Sequence, residues 1–452
     1  MKRAQRLALT SFSAVLLAVA SGSVRAADQA HIATHAQVQD VLARNSYDIY
    51  LRGGRIGGAG GDLLLRLGAD AEFLAIGEEH NNADIPPLVT ALFRDLHQRA
   101  GYNYLAEEQD AVITRLISEP PMRGNLAAID TQAISEKHSF TFNSDEELRM
   151  IADIGSISTG KGRPIWGCEQ VFGGTHVLER IVEKAPSPAA RALASDLLQD
   201  ARNREATRDG RFANRFMIDP AVASKMAELQ RLYAPVADPE TRFLVNSLGQ
   251  SVQIYHFYWN GDHDRSPGYF SNSAVREEHM KQLCRDEYQR SAALDGRPPR
   301  AILKFGDWHL YQAYAPSSVP TLGTFMSDIA RMNGLGFVSV RMMVRQRNGK
   351  PVWTWDDDHR AYAAFAPVLQ RSGWVLVDLR PLREYPVYRA LLASAGADLS
   401  QDAKDNLRRL VFGFDFALFL DDNREGHFTL GQMNPNPQSA AAEPSTSNRK
   451  GR

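Results

Sequence analysis

The sequence predicts an α/β fold: a parallel-rich central sheet flanked by helices, with an inserted helical subdomain. Three observations predict it. Apolar runs of strand length recur along the chain, at Phe73–Ile76, Tyr102–Ala106 and Arg300–Phe305, with a shorter one at Ile165–Trp166. Each stops abruptly at a glycine or an acid, followed by polar groups. The first two runs are separated by a helix-like pattern over about 87–100, which makes a βαβ unit with parallel strands and a right-handed connection. Residues from about 174 to 260 are helical in pattern, with breaks near Pro186, Pro220 and Pro235, and read as the insertion.

Taken in order, the chain opens with Lys2, Arg3 and Arg6, then an apolar stretch from Leu7 to Ala20, then Val24-Arg25-Ala26. That is the grammar of a secretory leader over residues 1–26, so the protein is expected to be periplasmic or secreted. No later apolar run is long enough to span a bilayer. Removal of the leader leaves 426 of the 452 residues and takes away four cations, which moves the formal charge from −1 to −5. A mildly acidic chain offers no electrostatic case for nucleic acid. The two cysteines, Cys168 and Cys284, allow one pairing, which export permits and the sequence does not decide.

The main domain is expected over 27–433. Residues 36–51 read as an amphipathic helix leading to a short strand. The glycine-rich stretch from Gly53 to Gly61 reads as a flexible or bulged loop, because Asp62-Leu63-Leu64-Leu65 leads on to the next strand. Gly155-Ser-Ile-Ser-Thr-Gly-Lys-Gly162 nearly spells a phosphate loop, but Gly162 stands where a magnesium-binding hydroxyl is needed and a strand follows. The aromatic run Tyr255–Trp259 reads as a buried helix turn or a pocket wall. A helix is expected over about 274–293, and later strands over Gly336–Val344 and Trp374–Leu379. The turn Asp356-Asp357-Asp358-His359 reads as a solvated loop, and residues 434–452 as a disordered tail.

Chemistry gathers at the strand ends. In open α/β sheets, ligands bind at the carboxyl edge. Four strand ends supply Glu78 and His80, Glu107 or Glu108, Glu169, and Asp307 and His309. Imidazole titrates near neutrality, which suits it to move protons to and from a reacting group. The expectation is that His80 activates water with help from Glu78 and Glu108. His309, oriented by Asp307, acts as acid or oxyanion partner, and Arg276 and Glu169 support the site or bind substrate. The same donors could instead hold a divalent metal. No Gly-x-Ser-x-Gly, His-Glu-x-x-His or paired Cys-x-x-Cys pattern is present.

These pieces, in this order, resemble the superfamily that joins erythromycin esterases, ChaN-like haem-binding proteins and Tiki-type metalloproteases. Gly77-Glu78-Glu79-His80 resembles its first Gly-Glu…His motif, and Leu105–Asp110 its strand ending in an acid. Trp166-Gly-Cys-Glu-Gln170 resembles the Gly-x-Asp strand, with Glu169 in the Asp place. Arg276-Glu-Glu-His-Met280 resembles the Arg-Asp-x-x-Met helix. Lys304–His309 is similar to the last Gly-x-His strand, and Val375–Arg380 to a late esterase strand. The single residue between Glu78 and His80 is the spacing of the ChaN-like branch, whereas the length of the helical insertion is nearer the esterases. The resemblance implies hydrolysis of an ester or related acyl bond. Its alternatives are haem or iron binding through His80 or His309, or metal-dependent peptide hydrolysis. The partner is a small-molecule substrate or haem, and the cofactor is none, a divalent metal or haem.

Overall fold

The computed structural model describes residues 33–135, 139–206, 216–260, 267–347, 349–352, 361–396 and 398–430. The leader, the acidic turn Asp356–His359, the tail and the side chains of Tyr258 and Trp259 lie outside them.

Helix α1 (His35–Arg44) starts at Thr34, whose hydroxyl accepts from the Gln37 N–H while the Gln37 side chain accepts from the Thr34 N–H. Strands β1 (Ser46–Arg52) and β2 (Arg55–Gly57) form a hairpin that runs into α2 (Gly58–Asp70). Then come β3 (Ala71–Glu78), α3 (Ile85–Ala100), β4 (Tyr102–Asp110), α4 (Ala111–Ile117), α5 (Leu126–Ser135), α6 (Asp145–Ile157) and β5 (Ile165–Glu169). Among the described residues, five helices separate β5 from the next strand: α7 (Thr175–Glu183), α8 (Pro188–Ala206), α9 (Pro220–Tyr233), α10 (Pro239–Asn260) and α11 (Pro267–Asp295). The chain returns through β6 (Arg300–Gly306), α12 (Leu322–Met332), β7 (Gly336–Arg347), β8 (Lys350–Pro351), β9 (Trp374–Asp378) and β10 (Phe416–Asp422).

The strands form one sheet in the order β2-β1-β9-β10-β7-β3-β6-β4-β5, with β8 hanging from β7. From β10 to β5 every neighbouring pair is parallel. Antiparallel pairing is confined to β9 with β10 and β1, the β1–β2 hairpin and the short β8. β3, β6, β4 and β5 are consecutive in the sheet, so the four strand ends singled out in the sequence lie side by side.

Period-two alternation sorts the sheet's side chains into two cores. Phe73, Ala75, Tyr104, Ala106, Ala301, Leu303 and Phe305 belong to one, beneath α11 and α12. Leu74, Ile76, Leu105 and Ile302 belong to the other, with α3 and α6. The inserted helices α7–α10 close on a third core of their own, built on Val177, Leu197, Leu229 and Leu248 among others.

The structure corrects one sequence expectation about the fold and adds one strand. The stretch after Gly57 is a helix rather than a loop. Gly58 turns the corner at φ +86°, and a side chain there would meet the Asp48 carbonyl oxygen at 2.3 Å. Beyond it, Leu63, Leu64 and Leu65 are buried against the sheet, and this burial outweighs the poor helix propensity of the glycines. β10 was not anticipated, yet it lies inside the sheet between β9 and β7. Among the described residues, no helix is long and apolar enough to cross a membrane.

Cys168 on β5 and Cys284 on α11 form a disulfide, with Cα atoms 5.4 Å apart and a sequence separation of 116. It ties the long helix that carries Arg276 to the strand that ends in Glu169. Cross-linking so long a loop stabilises a fold by about 2–4 kcal/mol, in large part by restricting the unfolded chain. A Cys168→Ala/Cys284→Ala variant should therefore unfold at clearly lower denaturant than the oxidised protein. Equal midpoints for the two would show that the cross-link adds nothing.

Candidate functional site

At the upper ends of three central strands, the alternation that built the cores continues with charged residues. On the α3/α6 face, Ile76 is followed by Glu78, Leu105 by Glu107 and Ile302 by Lys304. All three polar residues are buried, with 2–3% exposure. The Lys304 ammonium donates to Glu78 Oε1 at 2.7 Å and to Glu147 Oε1 at 2.6 Å, the latter reaching in from the first turn of α6. Glu107 points into the same cluster, and its Oε1 has no hydrogen-bond partner among the described residues. Glu108, one residue on, points to the opposite face. The strand thereby answers the choice between Glu107 and Glu108: each joins a different cluster.

His80 sits on the turn after β3. Its Nδ1 is 3.1 Å from Glu78 Oε1, and its ring stacks on Phe142 with centroids 4.1 Å apart. The next residue, Asn81, adopts φ 62°, a left-handed conformation that asparagine tolerates. The turn is fixed from the far end of the chain. Gly426 N–H donates to the Asn81 carbonyl at 2.7 Å, Ala83 N–H to that of Arg424 at 2.7 Å, and Asn82 Nδ2 to Asn423 Oδ1 at 2.9 Å.

Glu108 is the hub. Its Oε2 accepts the Gly306 N–H at 2.8 Å and lies 3.4 Å from His80 Nε2. Its Oε1 accepts from Arg276 Nη2 at 2.6 Å and lies 3.6 Å from His309 Nε2. A Cβ on residue 306 would approach His80 Nε2 to 2.8 Å, so this close approach of backbone to imidazole requires glycine. Arg276 also donates from Nε to Glu169 Oε2 at 3.1 Å and to Gln170 Oε1 at 3.2 Å. His309 is held by Nδ1 to Glu277 Oε1 at 2.6 Å, and the other Glu277 oxygen accepts the Leu322 N–H at 2.8 Å at the start of α12. Charges thus alternate from Glu147 through Lys304, Glu78, His80, Glu108 and Arg276 to Glu169, with His309 and Glu277 branching at Glu108.

Burial opposes the charged form of each member, and the neighbours decide the outcome. Glu107 is pushed up to about 8 by burial and then by Glu147, so it keeps its proton at neutral pH. Burial raises Glu78, but the Lys304 ammonium and then His80 outweigh it and hold the carboxyl below its ordinary value. Glu108 is held far below by His80, His309 and Arg276, against its own burial. Burial lowers both imidazoles, yet Glu108 and Glu78 raise His80 above its ordinary value. Glu108 and Glu277 raise His309 to about 10. The His80 side chain is 29% exposed and that of His309 is 11% exposed, so His80 is the imidazole that solvent reaches more readily.

The fold gathers Glu78, His80, Glu107, Glu108, Glu169, Arg276 and His309 at one edge. Asp307 stands apart from the expected role and is a correction. It was expected to orient His309, but the tight turn Asp307–His309 sends it to Arg341 on β7, where Oδ2 accepts from Nη2 at 2.6 Å. Glu277 orients His309 instead. Lys304 and Glu277 fall inside motifs read in the sequence but had no role there, and Glu147 was not singled out. Lys304 had a usable signal, a lone cation inside an apolar strand. Glu147 was masked by its place three residues after Ser144, a helix-capping pattern that accounts for an acid without a site.

The donors do not fit a metal. Glu108 already receives the Gly306 N–H and the Arg276 guanidinium, which also occupies Glu169. A cation placed there would have to displace another fixed cation. Among the described residues, no group of three histidine, cysteine, aspartate or glutamate side chains is arranged to hold one.

No family model and no curated protein matches this chain. Solved structures do. A His-to-Asn variant of the erythromycin esterase EreC, in its open conformation, superposes with a TM-score of 0.51 and 13% identity over 81% of this chain and 94% of that one. The chain has an erythromycin-esterase-like fold. Two further proteins share it. One is a succinoglycan biosynthesis protein, with a TM-score of 0.52 and 12% identity over 87% of this chain and 98% of the other. The second, from Bacillus cereus, has a TM-score of 0.52 and 11% identity over 87% and 99%. The haem-binding ChaN of Campylobacter jejuni also matches, but its TM-score of 0.29 carries no argument. At these identities the esterase-like likeness concerns the fold, and the chemistry must come from the site.

Proposed function

We propose that this protein hydrolyses an ester or related acyl bond by water activation at His80. One observation carries the reading. Two imidazoles turn their Nε2 atoms toward one carboxylate, and a separate carboxylate holds each Nδ1. That arrangement gives the two histidines different tasks. Neutral His80, its Nδ1–H donated to Glu78, accepts a proton from water at Nε2. The resulting hydroxide adds to the acyl carbon. His309 stays a cation, faces the developing oxyanion, and stabilises it from a fixed position. The intermediate then expels the alkoxide, which takes the proton from His80 Nε2. Arg276 holds Glu108 and Glu169 in place. Export is part of the same proposal: the leader-like residues 1–26 and the single disulfide suit an oxidising compartment.

The test is the pH dependence of kcat/KM on a panel of simple esters, with and without chelator. Turnover needs His80 neutral and His309 charged. Activity should therefore rise above the ordinary imidazole range as His80 loses its proton, and fall near pH 10 as His309 loses its own. A His309→Asn variant should lose the alkaline fall along with most activity. An optimum below pH 6, or turnover abolished by chelator and restored by added metal, would overturn this mechanism.

A further inference from the structure

A concave site lies along the inserted helices, apart from the His80–His309 cluster. α10 and α11 form a helical hairpin, and between them, closed at one end by α4, runs a groove of about 900 Å³. Paired helices normally face each other with apolar stripes. Here most of the residues that line the groove are polar, with Phe243 and Leu283 among them. On α10 the positions Glu240, Phe243, Asn246, Ser247 and Gln250 recur at helical spacing, and on α11 His279, Gln282, Asp286 and Gln289 do the same. These stretches each cover 11–12 residues, so the groove is about 17 Å long at 1.5 Å per residue.

The floor is buried and the walls are open. Ser247 is 3% exposed and Leu283 and His279 each 7%, whereas Asn246, Gln282 and Gln289 are exposed. At the closed end the Arg115 guanidinium is already fixed, 3.2 Å above the centre of the Phe243 ring and within 3.5 Å of Glu240 and 3.4 Å of Glu287. His279 is the odd member. Its Nε2 is buried without a hydrogen-bond partner among the described residues, and the residue lines the groove. Desolvation lowers its pKa to about 4, so the ring stays neutral and can give or take one hydrogen bond.

The donor set indicates the ligand. Five amides line the groove, from Gln230, Asn246, Gln250, Gln282 and Gln289, mixed with both signs of charge. An amide donates and accepts at once, as does a hydroxyl, so amides match hydroxyl groups better than they match phosphate or an apolar helix. A wall of one charge would point to an ion, and an apolar wall to a peptide helix or lipid. From the five amides that line this groove and its buried floor, we infer that it binds an extended, hydroxyl-rich ligand, an oligosaccharide.

The site does not depend on the esterase reading, and its test is separate. The full protein is titrated calorimetrically with a neutral tetrasaccharide, cellotetraose, and an acidic one, tetragalacturonate. Saturable binding of at least one is expected, and the pair distinguishes amide recognition from recognition led by Arg115. Asn246→Leu/Gln282→Leu changes exposed residues and should weaken binding at least tenfold while leaving ester turnover unchanged. Asn246→Trp, which fills the groove from an exposed position, should do the same. His80→Ala should bind the sugar as the parent protein does. The inference fails if neither sugar binds saturably, if the groove variants bind undiminished, or if His80→Ala abolishes binding.

Discussion

Replacing His80 with alanine should lower ester turnover by about 10²–10⁴-fold, the usual worth of a positioned proton-transfer group, and leave the fold intact. The second half of that expectation rests on the site's geometry. His80 is the most exposed imidazole of the pair and lies on a turn held mainly by backbone bonds to Gly426 and Arg424, which the substitution does not touch. Its loss leaves Glu78 still paired with Lys304, and Glu108 still paired with Arg276. Circular dichroism and the melting midpoint should stay close to those of the parent. His309→Ala should cost activity on the same scale, with more effect on stability, because it strips Glu277 of its cationic partner in a buried place and leaves it only the Leu322 N–H. Near-parental turnover in the His80 variant, with the protein folded, would remove the proposed base and the mechanism with it.

Lys304→Met should have the largest effect on stability of any single change at the site. The ammonium is 2% exposed and holds Glu78 and Glu147, with Glu107 close by. Methionine keeps most of the volume and removes the charge. Burial would then drive proton uptake by carboxylates that had a partner, and breaking a buried pair from one side costs about 3–5 kcal/mol. The damage should be milder in acid, where the orphaned carboxyls are protonated and lose their need for a cation. Denaturation midpoints at pH 5 and pH 8 measure this, with the larger gap between variant and parent expected at pH 8. Adding Glu147→Gln to Lys304→Met should recover part of the loss. If the double variant is no more stable than the single one, the carboxylate was not the source of the penalty.

Much of the fold was legible because its strands are short, apolar and sharply ended. Phe73–Ile76 and Arg300–Phe305 announce buried parallel strands, and the proline breaks mark the inserted helices. β10 carries the same local signal, with Phe416–Leu420 ending in Asp421-Asp422-Asn423-Arg424, but its place between β9 and β7 depends on pairings that no local pattern contains. The site was legible at its strand ends, where a glycine and a charge interrupt an apolar run. Glu108, Glu169 and both histidines could be found that way. Pairings could not. Sequence proximity suggested Asp307 for His309, whereas Glu277, 32 residues upstream on α11, takes that place because α11 lies over the sheet edge. Which of two adjacent glutamates serves the histidines was also undecidable until the strand's facing was known. Once it is, the two acids divide between opposite faces of the same sheet.

The bonds from Gly426, Arg424 and Asn423 to the His80 turn have a consequence for how the protein matures. Asn82 and Asn423 meet across 341 residues of sequence, among the most distant contacts the chain can make. Closing such a loop is entropically slow, and pairings of this span form late. The imidazole is thus synthesised early but gains its final support only when nearly the whole polypeptide has emerged and β10 has threaded between β9 and β7. The order of assembly acts as a safety catch: a chain cut short before Asn423 would have the sheet, most of the charges and both histidines, yet lack the clasp that holds His80 in place.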